Sequence, residues 1–340
     1  MKYSAKIKNI LFGSGIMALS RLAVGRGQAA ILRYHSVAEP TDNFYASPSI
    51  CVSPDEFEIQ VRYLSKNYNI ISLDEVADCI AEQRPFAERA VVLTFDDGYR
   101  DNYVAYQIMK SYGIRGTFYV TAGCIGNGKI FWLFEIIYLI RKTVRSNVEL
   151  VVNGIKTMFS LDSTFEREVA IRKITGIIKS NNLEVREDIR KQLKAQIHDV
   201  YELDEKALRV MLSWEQVQEM VNNGMTIGGH TMSHLNLPNA KYEDVVREIQ
   251  DCKQIIEENT SVAVRHFSYP NGGNYSYYDE SIIKIVKESG YYTATTSNNG
   301  LVYLDSKLYE LERVRVTGNL PEIVFQIQCE PIVKGLWGAS

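Results

Sequence analysis

Val91-Val92-Leu93-Thr94-Phe95-Asp96-Asp97-Gly98 decides how this chain is read. An apolar, β-branched run stops on two adjacent carboxylates and a glycine. Two anions at a strand end lose hydration and repel each other unless a cation or a proton intervenes. A metal beside one carboxylate would remove that cost and leave the other free to act as a base. The plain alternative is an Asp-Asp-Gly turn that caps the next helix.

Working outward, short β-rich runs recur at 30–37, 90–95, 115–121, 225–229, 264–268, 291–295 and 311–316. Helical patterns lie between them at 54–66, 102–111, 214–222, 242–258 and 278–288; Phe57, Val61 and Leu64 give the spacing in the first. Alternating β and α elements predict parallel strands joined by right-handed crossovers, either closed into a barrel or left as an open doubly wound sheet. No Gly-x-Gly-x-x-Gly follows the first strand, which disfavours dinucleotide binding. Residues 127–210 break the rhythm. They read as an apolar helix at 131–140, a small hairpin at Asn153-Gly154 and charged amphipathic helices at 164–179 and 185–197. This is a helical insertion between two strands, read as a lid or packing subdomain; acceptor recognition or membrane contact is the sharper alternative.

A second motif, Gly228-Gly229-His230-Thr231-Met232-Ser233-His234, closes another strand. Two of only five histidines stand four residues apart, the spacing of a metal pair on one side of a helical turn. Two imidazoles and one carboxylate leave coordination positions open for water and substrate, as a catalytic metal requires. Tyr34-His35 and Phe267-Ser268-Tyr269-Pro270-Asn271-Gly272-Gly273 also sit at strand ends. In a parallel barrel those ends share one mouth, so His35, Asp96, Asp97, His230, His234 and Asn271 are expected to converge there. His198, in the insertion, and His266, inside a strand, read as structural.

Composition agrees with an ordinary folded chain. Of 340 residues 46% are hydrophobic and 23% charged, and 38 basic against 41 acidic residues leave a net charge of −3. Such a balance provides no field that would draw nucleic acid. Cys51, Cys79, Cys124, Cys252 and Cys329 are odd in number and widely spaced, which argues against a disulfide framework or a thiolate zinc site. Lys2, Lys6 and Lys8 precede an apolar run at 10–19 that is interrupted by Gly13 to Gly15 and has no clear cleavage site. It reads as a helix on the domain or on a membrane surface, with targeting as the alternative. A cytoplasmic or membrane-associated location is therefore favoured over secretion. The expected layout is 1–29 as this N-terminal segment, 30–318 as the barrel with its insertion, and 319–340 as a C-terminal extension.

The two motifs in this order resemble the polysaccharide deacetylase family, carbohydrate esterase family 4. Gly116-Thr117-Phe118-Tyr119-Val120, Leu212-Ser213-Trp214-Glu215-Gln216, the Phe-Ser-Tyr-Pro-Asn-Gly segment and Leu311-Glu312-Arg313-Val314-Arg315-Val316 extend the match over about 30–125 and 211–318. Tyr34-His35 resembles the branch that acts on poly-N-acetylglucosamine exopolysaccharides. The resemblance implies an α/β fold, a distorted (β/α)7 barrel, and metal-dependent hydrolysis of an N-acetyl group on a carbohydrate. It implies Asp97, His230 and His234 as ligands of one divalent metal, zinc with cobalt or nickel as alternatives. It further implies Asp96 as the catalytic base and the Asn271 N–H as an oxyanion donor. Tyr34, Tyr269 and Pro270 are expected to contact substrate.

Two departures stand out. Many family members carry an Arg two residues before the proline, where this chain has Ser268, and a C-terminal Leu-x-His, where this chain has no histidine. Arg313, on the strand next to the first, is expected to supply the missing cation beside Asp96. His35 is expected to replace the missing acid, both by the Tyr-His branch and because no other histidine remains at the mouth. A non-catalytic carbohydrate-binding module and an amidase acting on a small non-sugar amide are the competing readings.

Overall fold

The computed structural model describes residues 5–14, 27–39, 41, 43–126, 129–273, 275–316 and 319–336. Seven strands form the centre: β1 (Gln28–Tyr34), β2 (Ala90–Phe95), β3 (Thr117–Val120), β4 (Thr226–Gly229), β5 (His266–Ser268), β6 (Thr293–Asn299) and β7 (Leu311–Arg315). All neighbouring pairs are parallel, in the order β1-β7-β6-β5-β4-β3-β2. The ring closes because β1 also pairs with β2, from Ala29 opposite Ala90 to Tyr34 opposite Phe95. The expected barrel is present and the open sheet is not. It is distorted: β5 has three residues and meets β4 at one pair, Phe267 with Gly229, and the β6–β7 register shifts between Thr295 and Asn299.

Strand alternation builds the two layers. Ala29, Ile31, Val92, Tyr119 and Leu311 fill the lumen, and the helix Leu73–Ala81 packs on them through Leu73, Val76, Cys79 and Ile80. Leu32, Tyr34, Leu93, Phe95 and Phe118 join the larger core shared with the surrounding helices, where Phe95 and Phe118 stack at 4.5 Å. Burying this alternating set fixes the register, since a slip of one residue would exchange the layers. Gly228 is required opposite Tyr119, because a Cβ there would lie 2.5 Å from the Tyr119 ring.

Helix starts follow local chemistry. Ser53 caps Pro54–Asn67 with proline in the first turn, and Ser213 with Gln216 forms a capping box for Trp214–Asn222. The first expected strand ends earlier than the sequence suggests. His35 interrupts it, and Ser36–Val37 pairs separately with Cys51–Val52.

The insertion contains the helices Trp132–Lys142, Thr164–Lys179, Leu183–Gln196 and Leu203–Ala207. Its hairpin, Asn147–Val152 with Ile155–Ser160, turns on Asn153 (φ 52°) and Gly154 (φ 79°), the left-handed pair that an Asn-Gly turn supplies. At the termini the helix Ala5–Gly13 lies on Leu320–Leu336: Leu11 and Phe12 pack on Leu320, Val324 and Phe325, and Lys8 reaches Glu322 at 2.5 Å. Part of the expected 10–19 run lies outside the described residues. No helix among the described residues is long and apolar enough to cross a membrane.

Candidate active site

The C-terminal ends of the strands open into a cleft of about 250 Å³ lined by His35, Asp96, Asp97, His230, His234 and Asn271. The expected convergence is thus found. Asp96 and Asp97 do not cap a helix: Asn102–Ser111 starts after Asp101 with no side-chain cap.

Asp97 Oδ1 lies 3.3 Å from His230 Nε2 and 3.3 Å from His234 Nε2, and all three residues are buried. His230 Nδ1 is 2.7 Å from the Ser268 carbonyl. A carbonyl only accepts, so Nδ1 carries the proton and Nε2 presents its lone pair. Asp97 Oδ1 and His234 Nδ1 are buried with no hydrogen-bond partner. Burial alone would raise the Asp97 pKa; a proton or cation shared with the two imidazoles holds it well below the usual carboxylate range. Three converging donor atoms with an orphaned buried oxygen fit a divalent cation, whose ligands they match in kind. The backbone is held in the left-handed region at Asp97 (φ 77°), Thr231 (φ 63°), His234 (φ 54°) and Asn271 (φ 74°). Such positions cost about 1–3 kcal/mol each and persist only where surrounding structure enforces them.

Asp96 lies in the same cleft in a different environment. Arg313, fully buried on β7, grips it with two bonds, Nη1 to Oδ1 and Nη2 to Oδ2, both 2.7 Å. The guanidinium is itself fixed by the Thr296 carbonyl at 2.8 Å, Ser268 Oγ at 3.0 Å and Thr94 Oγ1 at 3.3 Å. Burial works to raise the Asp96 pKa, and Arg313 outweighs it, keeping the carboxyl ionised well below its ordinary range. Ser268 does not leave a gap where the family has arginine: its hydroxyl joins this network while the cation arrives from another strand.

His35 Nε2 is 3.9 Å from Asp96 Oδ2, and burial pushes its imidazole down to about 4 against the pull of Asp97 and Asp96. Its loop is pinned by residues that sequence reasoning missed. Asn102 Nδ2 donates to the His35 carbonyl at 2.5 Å, and the buried Asp101 carboxylate accepts from Ser36 Oγ, Tyr45 Oη and the Val37 N–H. Both residues stand three and four positions after Gly98, and that closeness to the Asp96-Asp97-Gly98 turn is the available signal.

Asn271 lines the cleft with its Oδ1 buried and unpartnered. Tyr34, Tyr269 and Pro270 do not line it. Tyr34 is in the outer core, donating to Gln60 Oε1 and stacked on Phe95; Tyr269 stacks on Tyr278 and donates to the Tyr309 carbonyl. For the two tyrosines the physical reason is alternation: the immediate neighbours of the mouth-facing His35 and Ser268 point to the opposite layer, whereas Pro270 lies beyond the strand, in the turn that leads to Asn271. His266 is buried far down β5, bonded to Thr293 Oγ1 at 2.8 Å and 3.3 Å from Asp74.

The insertion reaches this site. Trp132 Nε1 donates to the His234 carbonyl at 3.4 Å, and Leu133 and Lys179 line the cleft. Arg186 binds the Ser233 carbonyl and hydroxyl, both at 3.0 Å, while Glu248 accepts from the Ser233 N–H at 2.8 Å. Ser233 immediately precedes His234, so these contacts fix the loop carrying both imidazoles.

Comparisons with known proteins agree with this geometry. The polysaccharide deacetylase family model matches residues 83–294, more than half of the chain. The Bacillus subtilis (strain 168) protein YxkH, named for the same family, is 23% identical over 297 residues, covering 87% of this chain and 74% of its own. The solved Streptococcus pyogenes deacetylase PplD, in complex with acetate, superposes with a TM-score of 0.57 at 21% identity, over 88% of this chain and 98% of that one. IcaB from Ammonifex degensii gives 0.53 at 18% identity, over 89% and 98%. With its matched domain and its converging Asp-Asp and His-His motifs, the chain belongs to the polysaccharide deacetylase family, hydrolases of carbohydrate N-acetyl groups.

Proposed function

We propose that the protein removes N-acetyl groups from a polysaccharide or glycan intermediate with one divalent metal ion, zinc in the first instance, held by Asp97, His230 and His234. The observation that carries this reading is the meeting of Asp97 Oδ1 with two imidazole Nε2 atoms at 3.3 Å, beside a second carboxylate clamped by Arg313. When bound, such an ion supplies Lewis acidity toward the amide carbonyl and makes water a competent nucleophile at neutral pH.

The chain's own residues divide the remaining work. Asp96 is ionised and fixed in orientation by the Arg313 fork, so one of its oxygens can take the proton of the attacking water. His35 rests as a neutral imidazole. Its Nε2 faces Asp96 Oδ2 at 3.9 Å, a separation that closure on substrate would shorten. It accepts the proton collected by Asp96 and delivers it to the departing sugar amine. The Asn271 N–H, on strained left-handed backbone followed by Gly272 and Gly273, donates to the oxyanion. The resemblance carried by Tyr34-His35 supports an acceptor that contains N-acetylglucosamine.

Acetate release is the test. The metal-loaded protein is expected to release acetate from N-acetylglucosamine oligosaccharides and to leave small non-sugar acetamides intact. Hydrolysis of the small amides alone would replace the carbohydrate by a small substrate, and no release from either class would refute the reading.

A further inference from the structure

Asp96 is held by the Arg313 fork, and Asp97 with the two imidazoles forms the candidate metal site. Three more cations line the same cleft, Arg33 on β1, Arg315 on β7 and Lys179 at the end of the insertion helix. No carboxylate among the described residues lies within ion-pair distance of any of them. Arg33 is the most telling. It is 7% exposed, its Nε is buried without an acceptor, and alternation along β1 puts it on the lumen side with Asp96 and Arg313. Burial, then repulsion by Arg313, lowers its guanidinium to about 10; the Asp96 charge, already gripped by Arg313, offsets part of this, and Arg315 adds further repulsion. Among the described residues the Arg315 guanidinium reaches only the Ser49 carbonyl, at 3.5 Å. Lys179, also partly desolvated, has the Asp97 charge as its one favourable influence.

A buried guanidinium without a partner is costly. Removing an uncharged acetyl group does not call for three such cations. Guanidinium forks do match carboxylate and phosphate oxygens two at a time. We infer that the cleft selects a carbohydrate bearing an oxyanion, a carboxylate or a phosphate, next to the N-acetylated sugar, with Arg33 as the inner contact and Arg315 and Lys179 at the mouth. The inference rests on the deacetylase reading and names its substrate class. It also gives the insertion a part in selection, because Lys179 belongs to it.

The test compares kcat/KM on three N-acetylglucosamine oligosaccharides of equal length: one neutral, one with a lactyl carboxylate and one with a phosphate on the adjoining sugar. One charged substrate is expected to exceed the neutral one by roughly 10- to 100-fold, mainly through KM, as for a charge-assisted hydrogen bond. The arm that responds identifies the anion. Arg33→Met should bring the charged-to-neutral ratio close to one, and the double variant Lys179→Met/Arg315→Gln, at the accessible rim, should lower it several-fold. A ratio near one in the wild type, or one unmoved in both variants, overturns the inference. Calorimetric binding of the deacetylated products runs alongside. If no substrate is hydrolysed, the deacetylase reading fails on its own; preferential binding of a charged product still upholds anion selection, and equal binding of charged and neutral products overturns it.

Discussion

The barrel rim and the insertion contribute to one cleft in different ways. On the rim, reactive groups sit on strand ends that the closed sheet holds rigidly: Asp96 and Asp97 after β2, His230 after β4, Arg313 within β7. The insertion is built from locally capped helices and an Asn-Gly hairpin and reaches the cleft through a few side chains, Trp132, Leu133, Lys179 and Arg186. The reactive groups reside on the barrel rim, and the appended element buttresses the loop carrying His230 and His234 and shapes the entrance. Substitutions should therefore be severe and rate-determining on the rim, and graded in the insertion.

The largest effect beyond the metal ligands is expected at Asp96. Asp96→Asn should retain the metal and lower kcat by roughly 10²–10⁴-fold, the usual worth of a positioned base. A variant that turns over within a few-fold of wild type would place the base elsewhere. His35→Ala should lie in the same range of about 10²–10⁴-fold, again with metal content unchanged. Loss of metal in that variant would make His35 a ligand instead of a proton carrier.

Arg313→Met sharpens the comparison through pH. Asp96 must be ionised to act, and Arg313 is what outweighs its burial. Removing the cation raises the Asp96 pKa, so the acid limb of kcat/KM should move to higher pH, and activity at mildly acidic pH should fall first. Truncating one partner of a buried pair also costs about 3–5 kcal/mol of stability, so Arg313→Lys serves as the folded control with a partial shift. An acid limb unchanged in both variants would remove Arg313 from the site's electrostatics. The smallest effect belongs to the insertion. Arg186→Ala frees Ser233 from one of its two clamps and should weaken metal affinity by roughly 10-fold, with kcat nearly restored at saturating metal. A fall in kcat that excess metal does not restore would assign the insertion a role in the chemical step.

The same contrast explains what the sequence allowed to be read. Rim residues lie in short contiguous motifs because a strand end and the turn after it place neighbours together, so Asp96-Asp97 and His230 with His234 could be named from spacing. The Asn153-Gly154 turn was legible for the same local reason. Tyr34 and Tyr269 lie away from the cleft although their neighbours His35 and Ser268 face the mouth, because strand alternation sends adjacent residues to opposite layers. Leu73–Ala81 escapes the sequence reading although Ser72 caps it and Leu73, Val76, Ala77 and Ile80 give helical spacing. Lys179, Arg186 and Arg33 could not be read at all: their roles depend on where the insertion docks and on which cations the folded cleft leaves unpaired.

The central claim is that hydrolysis depends on a metal at Asp97, His230 and His234. Metal content and acetate release, measured together on the wild type and on His230→Ala before and after chelation, test it directly. The account predicts one equivalent of divalent metal per wild-type chain, activity that vanishes on chelation and returns on reloading, and neither metal nor activity in His230→Ala. Acetate release that persists in metal-free protein, or a His230→Ala variant that keeps its full equivalent of metal, would contradict it.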